Sequence, residues 1–467
     1  MRLVFSPCLR RTNFVSLRYV SSKANGFLTK RVQLDYKKIV ENAENLKKNC
    51  LMRNMKSLAD SVPNIVRLYH ERIQCLDELK PFRAQKNTVT KQLADKNLPP
   101  TRRHALLIES RKMKEIMSPS EKKLVLLEQQ LQQLCLQLPN QLGEYVPIGP
   151  ESDARCVGYI CEDKLAQVQQ RTYVADHLDI AKRAFDFDSA ALGSGHSFVY
   201  QWGDAALLEF ALLNFTVDYA IQQGWEFCLV PTIVRTDVAR ACGFQPRDAE
   251  GQQMYELESD VSSNVPPQVL VGTAEVSLAA SALNKTFTDL KKKCVIGVSR
   301  AYRREAGAHG KFTRGMYRLH EFTKAEFFAW THPDYSSAML KEIIKLQATI
   351  IQMLEIPARI LYMPSEELGA SASEKYDIEA WMPSRNDFGE ITSASNCLDY
   401  QARRLWTRYD NGMDTGYVHT LNGTAVAIPR LSIAILENNL QSDGRVKIPN
   451  VLQPFMNKKY LDFSAYK

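Results

Sequence analysis

The 467-residue sequence has no run of 18 uncharged apolar residues, so no membrane-spanning helix is expected. Its ten cysteines form no CxxC pair and no zinc-ligand spacing; Cys156 and Cys161 have no second ligand pair nearby. Buried free thiols in a reducing compartment are the simpler expectation. Gly193-Ser194-Gly195-His196 lacks the Lys-Ser/Thr that a P-loop places after its glycines, and no GxGxxG follows a strand pattern. His320-Glu321 has no second histidine at the zincin spacing, and Ser393-Ala394-Ser395 has no nearby histidine to serve as its base. Acidic residues are missing altogether from the first 34 positions.

What is present is ordinary in bulk and uneven along the chain. Hydrophobic residues make up 45% and charged residues 24%, the balance of a soluble globular protein of two or three domains, which excludes a collagen, a disordered tail and a disulfide miniature. The formal charge of +8 is partitioned: residues 1–34 hold seven basic residues, residues 35–140 balance to +8, and residues 141–467 to −7. The first segment is Arg- and Ser-rich with short apolar runs, the composition of an amphipathic mitochondrial presequence; a disordered basic tail is the alternative. Arg18-Tyr19-Val20-Ser21-Ser22 has the look of a matrix-protease cleavage site, which sets a presequence at 1–20 with disorder to about 34.

Residues 35–140 read as helix. Leu124, Leu127, Leu131, Leu134 and Leu138 repeat at 3-4-3-4 spacing, and Val66, Tyr69, Ile73 and Leu76 form a second seam. Asn97-Leu98-Pro99-Pro100 between them cannot continue a helix, so a long helical hairpin is expected, kinked at Pro81 and Pro119. Its polar faces carry Arg102, Arg103, Arg111 and Lys112 among other cations. A solvated coiled coil explains such charges; a basic arm beside an acidic body also attracts a phosphate backbone. Residues 141–200 read as linker, and residues 201–467 as a mixed domain. In it a helix spans about 205–223, strand-like runs fall at 225–230, 268–271, 295–303, 327–330, 359–363, 376–381 and 391–396, and the last helix, about 433–439, follows Arg430. Few helices link the strands, so the expected fold is α+β, an antiparallel sheet flanked by helices.

Several of these strand-like segments carry charge. Arg303, Arg304 and Glu305 end one; Arg314, Arg318, Phe322 and Glu326 line the next; Glu390 and Ser393 share another; Asn422, Thr424 and Arg430 precede the last helix. Charges in a sheet are costly unless paired with each other or with a ligand. Arginines with carboxylates, a hydroxyl and an aromatic suit a nucleoside triphosphate and a metal ion.

Four segments then carry a specific resemblance. Ser299-RAYRREAGAHGKFTRGMYRLHEFTKAE-Phe327 resembles motif 2 of the class II seryl-tRNA synthetases. Leu270-VGTAEVSL-Ala279 is similar to their Thr-Ala-Glu loop, Phe388-GEITSASNCLDYQARR-Leu405 to their metal and ATP segment, and Thr420-LNGTAVAIPRLSIAILENN-Leu440 to motif 3. Pro231 matches the motif 1 proline at the family's dimer interface, and the hairpin resembles the family's tRNA-binding arm. Pro429 and Phe388-Gly389 look more like the animal mitochondrial branch than the bacterial one. The resemblance implies a mitochondrial matrix homodimer that joins L-serine to tRNA(Ser) with ATP and Mg²⁺, and no membrane partner. It implies that Arg303 binds the α-phosphate and the serine carboxylate, Glu305 reads the adenine amino group, Arg318 holds the γ-phosphate, and Phe322 and Arg430 enclose the adenine. It further implies Mg²⁺ on Glu390 and Ser393, the serine ammonium and hydroxyl on Thr273 and Glu326, and a pocket lined by Glu275, Asn422 and Thr424. Arg303 and Arg430 are the catalytic pair, and Arg102, Arg103, Arg111 and Lys112 the tRNA contacts.

An alternative stays open: a chain similar to the seryl-tRNA synthetase-like protein of insect mitochondria, which would keep the fold without the reaction and bind RNA or a paralogous synthetase as a heterodimer. It draws on His177-Leu178-Asp179-Ile180-Ala181 in place of the family's His-x-x-Leu/Ile-Gly, on Gln201-Trp202, and on Pro81.

Overall fold

A computed structural model describes residues 17–18, 34–95, 97–244, 254–258, 266–304 and 315–466. Glu305, Arg314 and nearly all of the expected presequence lie outside the described residues. The chain forms two compact units, one over residues 33–141 and the other built from residue 142 onward.

The first unit is dominated by helices α1 (Lys56–Leu93) and α2 (Pro100–Gln137). Pro99 and Pro100 start α2, where a missing N–H is no loss. Both helices run unbroken through internal prolines, Pro63 and Pro81 in α1 and Pro119 in α2. Leu124, Leu127 and Leu131 are buried, in line with the leucine seam. On α1 the expected seam residues Val66, Tyr69, Ile73 and Leu76 are half-buried, and the buried line through that stretch is Val62, Ile65, Leu68 and Cys75; Leu79 and Val89, the seam's expected continuation, are buried. The shift has a packing cause. Helix α1 packs against the preceding helices as well as α2: Arg72 lies 5.8 Å from the Tyr36 ring and bonds Glu128 of α2 at 3.3 Å.

The second unit is built on an eight-stranded sheet. In chain order the strands are β1 (Arg155–Ile160), β2 (Glu226–Leu229), β3 (Lys292–Tyr302), β4 (Glu321–Thr331), β5 (Ala358–Tyr362), β6 (Glu374–Met382), β7 (Asp387–Asn396) and β8 (His419–Ala427). Their order in the sheet is β1-β5-β6-β7-β8-β4-β3-β2, antiparallel throughout except for β2 on β3. The helices that matter for the site are α3 (His177–Ala181), α4 (Asp204–Gln222), α5 (Ala274–Ser281), α6 (Ser336–Met353), α7 (Tyr400–Leu405) and α8 (Ile428–Asn438). This is the α+β sheet flanked by helices that the pattern implies. Phe327, Ile343, Ala394, Leu421 and Ile433 share its main core.

Two strands of this sheet escape the sequence pattern. β1 rises out of the stretch read as linker and forms a sheet edge against β5. β8 lies in the middle of the sheet, between β7 and β4. The helix expected at about 433–439 starts earlier: α8 begins at Ile428, with Pro429 and Arg430 in its first turn, and a short helix, Gln453–Met456, follows it. A proline at the start of a helix is preorganised for it. No helix among the described residues is long and apolar enough to cross a membrane.

Candidate active site

A cleft of about 510 Å³ opens over the middle of the sheet. Arg303, Arg318, Phe322, Glu390, Ser393 and Arg430 all line it, as do Lys324 and Thr424. Each is delivered by a different local device. Arg303 follows the end of β3, where its N–H donates to the His320 carbonyl at 2.9 Å. Its guanidinium sits 5.3 Å from the Phe322 ring centre, and its Nε donates to the Gly272 carbonyl at 3.4 Å. Arg430 projects from the first turn of α8, and its Nη1 lies 3.1 Å from both the main-chain carbonyl and Oε2 of Glu390.

Glu390 and Ser393 are three residues apart, a spacing that points them to opposite faces of an ideal strand. A bulge reverses this. Opposite β6 the register runs Glu379↔Glu390 and then Ile378↔Thr392, so Ile391 is the extra residue. After the bulge both side chains face the cleft. Burial disfavours charge on Glu390, but the guanidinium of Arg430, then Lys375, holds its carboxyl down to about 2. An ionised carboxylate and a hydroxyl on one face are hard oxygen donors, the set that suits Mg²⁺.

A second, buried tier lies beside the arginines. Lys324 pairs with Glu326, and its Nζ also donates to Thr273 Oγ1 at 3.2 Å. Thr273 in turn donates to Glu326 Oε2 at 2.9 Å. Thr273 stands at the N-cap of α5, but its hydroxyl makes no capping bond; it serves Glu326 instead. Glu275 Oε1 accepts from Gln401 Nε2 at 2.6 Å and Asn422 Nδ2 at 2.9 Å. Burial first, and the charge of Glu326 second, push the Glu275 carboxyl up to about 7. Thr424 of β8 pairs with Glu326 of β4, just before a bulge whose extra residue is Ala425. Two carboxylates against one lysine leave this tier short of positive charge, so a small ligand bearing an ammonium group fits it.

The structure therefore brings together every described residue that the motifs singled out for ATP, Mg²⁺ and serine. Sequence reasoning missed Lys324, Tyr317 and Gln401. Strand alternation carries a signal for Lys324: Phe322, Lys324 and Glu326 fall on one face of β4. Tyr317, packed between Arg430 at 4.7 Å and Arg385 at 3.9 Å, has no such signal, nor does Gln401 of α7. In the helical unit Arg102, Arg103, Arg111 and Lys112 are all exposed, and Arg103 donates to the Asp95 carbonyl at 2.9 Å. At about 100° per residue they ring α2 rather than forming one stripe. The departures behind the inactive alternative are not among the residues assigned to ATP, Mg²⁺ or serine. Trp202 is exposed, Pro81 lies inside an unbroken helix, and His177 is buried in a hydrogen-bonded cluster.

Comparison with known proteins points to one family. Residues 34–142 match the seryl-tRNA synthetase N-terminal domain, and residues 287–439 the tRNA synthetase class II core domain (G, H, P, S and T). The chain is 52% identical to the mitochondrial serine–tRNA ligase of Schizosaccharomyces pombe, over 92% of this chain and 89% of that protein. It is 38% identical to the mitochondrial serine–tRNA ligase of Saccharomyces cerevisiae, over 94% and 98%. Among solved structures it superimposes on the seryl-tRNA synthetase of Pyrococcus horikoshii complexed with ATP. The TM-score is 0.78 at 31% identity, over 92% of this chain and 99% of that one. The two mitochondrial relatives are yeast proteins; they carry the family and not the animal affinity read from Pro429 and Phe388-Gly389.

Proposed function

We infer the chemistry of this cleft from one premise: the chain belongs to the seryl-tRNA synthetase family of class II. It is a mitochondrial serine–tRNA ligase, which activates serine with ATP to seryl-adenylate and transfers it to tRNA(Ser). The observation that carries the residue assignments is the meeting of the two tiers at Lys324, which lines the cleft and pairs with Glu326 in the buried tier.

Arg303 takes the α-phosphate and the serine carboxylate, and Arg318 the γ-phosphate. Phe322 and Arg430 enclose the adenine, with Glu305 reading its amino group. Glu390 and Ser393 would hold Mg²⁺, which neutralises phosphate charge when bound. Thr273 and Glu326 take the ammonium and hydroxyl of serine, within a pocket lined by Glu275, Asn422, Thr424 and Lys324. The serine carboxylate attacks the α-phosphorus in line and pyrophosphate leaves. A carboxylate is already a nucleophile, so no strong base is needed; catalysis is positioning and charge neutralisation. Alanine leaves the polar groups of the pocket unpaired, a penalty that favours serine.

Purified protein lacking residues 1–20 should catalyse serine-dependent ATP–pyrophosphate exchange. Absence of exchange with tRNA still bound would overturn the assignment. The same preparation tests the quaternary proposal, a homodimer. Its support is an apolar surface on α4 and the edge strand β2, where Phe210 and Leu229 are 63 and 73% exposed. A monomer mass by light scattering at micromolar concentration would sink it, and activity only with a paralogue would favour a heterodimer. The matrix is the proposed compartment, on the acid-free basic N-terminus; import of a fusion carrying residues 1–34 into isolated mitochondria tests it.

The helical unit is the proposed tRNA arm. Neutralising Arg102, Arg103, Arg111 and Lys112 together should weaken tRNA binding and leave adenylate formation unchanged. Because the four ring the helix, only some face RNA at once. The slope of log affinity against log salt should therefore fall by about 1–2. An unchanged slope returns the arm to a solvated coiled coil.

A further inference from the structure

His177 opens α3 at the rear of the cleft and is buried. Its Nε2 accepts the main-chain N–H of Met316 at 3.2 Å. Its Nδ1 lies 3.4 Å from Glu437 Oε1 and 3.3 Å from Asp176 Oδ1. A ring nitrogen that accepts leaves the proton on the other, so the hydrogen bonds assign a neutral ring protonated at Nδ1. Glu437 is buried and receives three donors: the ring, the main-chain N–H of His177 at 3.3 Å, and the N–H of Ser384 at 3.0 Å on Oε2. The ligand atoms of Asp176, His177 and Glu437 lie within 4.8 Å of one another, close enough for a metal ion. Main-chain donors already occupy both oxygens of Glu437 and Nε2 of His177, so the cluster reads as a hydrogen-bonded hub.

The hub joins two parts of the cleft that are distant in sequence. Met316 sits in a single 3-10 turn, Gly315–Tyr317, directly before Arg318. Tyr317 packs its ring on Arg430, and its hydroxyl donates to the Glu390 carbonyl at 3.5 Å. Glu437 lies on α8, two turns beyond Arg430. Gly315 has φ +69°, and a Cβ there would come within 2.5 Å of His177 Nε2. Both the backbone conformation and the close approach therefore call for glycine at this position.

We propose that His177 is a positioning residue for ATP. It fixes the Gly315–Tyr317 turn against α8 and so sets Arg318 and Tyr317 relative to Arg430. It touches no substrate atom. The proposal rests on the reading of the cleft as an ATP site, and it gives a role to the histidine of a segment whose departures had favoured an inactive chain.

Two variants separate the hub's halves. His177→Gln keeps an acceptor near the Nε2 position, whereas His177→Asn keeps a donor toward Glu437 and withdraws the acceptor from Met316. In pyrophosphate exchange, His177→Asn should raise KM for ATP about tenfold with KM for serine within about twofold, and His177→Gln should stay near wild type. A merely structural histidine predicts otherwise: equal loss of melting temperature in both variants with KM for ATP unchanged, or parallel rises in both KM values. Either result overturns the proposal. If neither variant folds, Gly315→Ala probes the same contact from the other side and should show the same split; an unchanged KM for ATP there counts against it. Wild-type protein without exchange activity would instead bring down the ATP-site reading itself.

Discussion

Replacing Arg303 by alanine is expected to lower kcat/KM for serine-dependent pyrophosphate exchange by about 10³-fold, the loss of roughly 4 kcal/mol of transition-state stabilisation. As serine attacks, negative charge concentrates around the α-phosphorus, and the pocket has few cations to meet it. Lys324 is committed to Glu326 and Arg430 to Glu390. Arg303, which we propose takes both phosphate and serine carboxylate, is aligned by Phe322 and the Gly272 carbonyl. Arg303→Lys should recover only part of the loss, about tenfold, because a point charge cannot fork to two oxygen ligands at once. Arg303 is half-buried at a strand end, so the melting temperature should barely move. Steady-state exchange decides: a loss of less than tenfold in the alanine variant would remove Arg303 from the reacting centre.

What the sequence revealed depended on whether the signal was local. Charge in strand-like segments is a local signal, and it points to Arg303, Glu326 and Glu390. The bulge that turns Glu390 and Ser393 to one face is not local; it is a mismatch of register with β6, visible only when the strands pair. β8 was hidden for a related reason. Its Gly423, Ala425 and Ala427 are poor strand formers in isolation. Yet a Cβ at Gly423 would lie 2.4 Å from Ile343 Cγ2 of α6, so the smallness that weakens the strand pattern is what lets the helix pack on the sheet. His177 shows the same limit at greater range: its partners Met316 and Glu437 are 139 and 260 residues away. Most of the residues that line the cleft could be read from motifs; their supports could not.

Glu326→Ala should cost more than any other single change in the serine tier, in stability as well as rate. Glu326 is 1% exposed and Lys324 6%, and each is the other's main counter-charge. Removing one partner of a buried pair leaves an uncompensated charge and costs about 3–5 kcal/mol, a fall in melting temperature of about 10 °C for a unit of this size. Thr273 loses its acceptor as well, and in the proposed site the substrate serine loses a carboxylate partner. Exchange activity should fall at least about 10³-fold. The two effects separate in the double variant Lys324→Met with Glu326→Gln. Gln keeps an acceptor for Thr273 while neither side chain is charged, so the buried-charge penalty disappears and most of the melting temperature returns. Activity does not return with it, because the pocket still lacks the carboxylate that meets the substrate ammonium. Thermal melts and exchange rates on Lys324→Met, Glu326→Gln and the double variant form a complete cycle. If the double variant recovers both properties together, Glu326 is a structural counter-ion and the serine site lies elsewhere; if it recovers stability alone, the carboxylate belongs to the substrate.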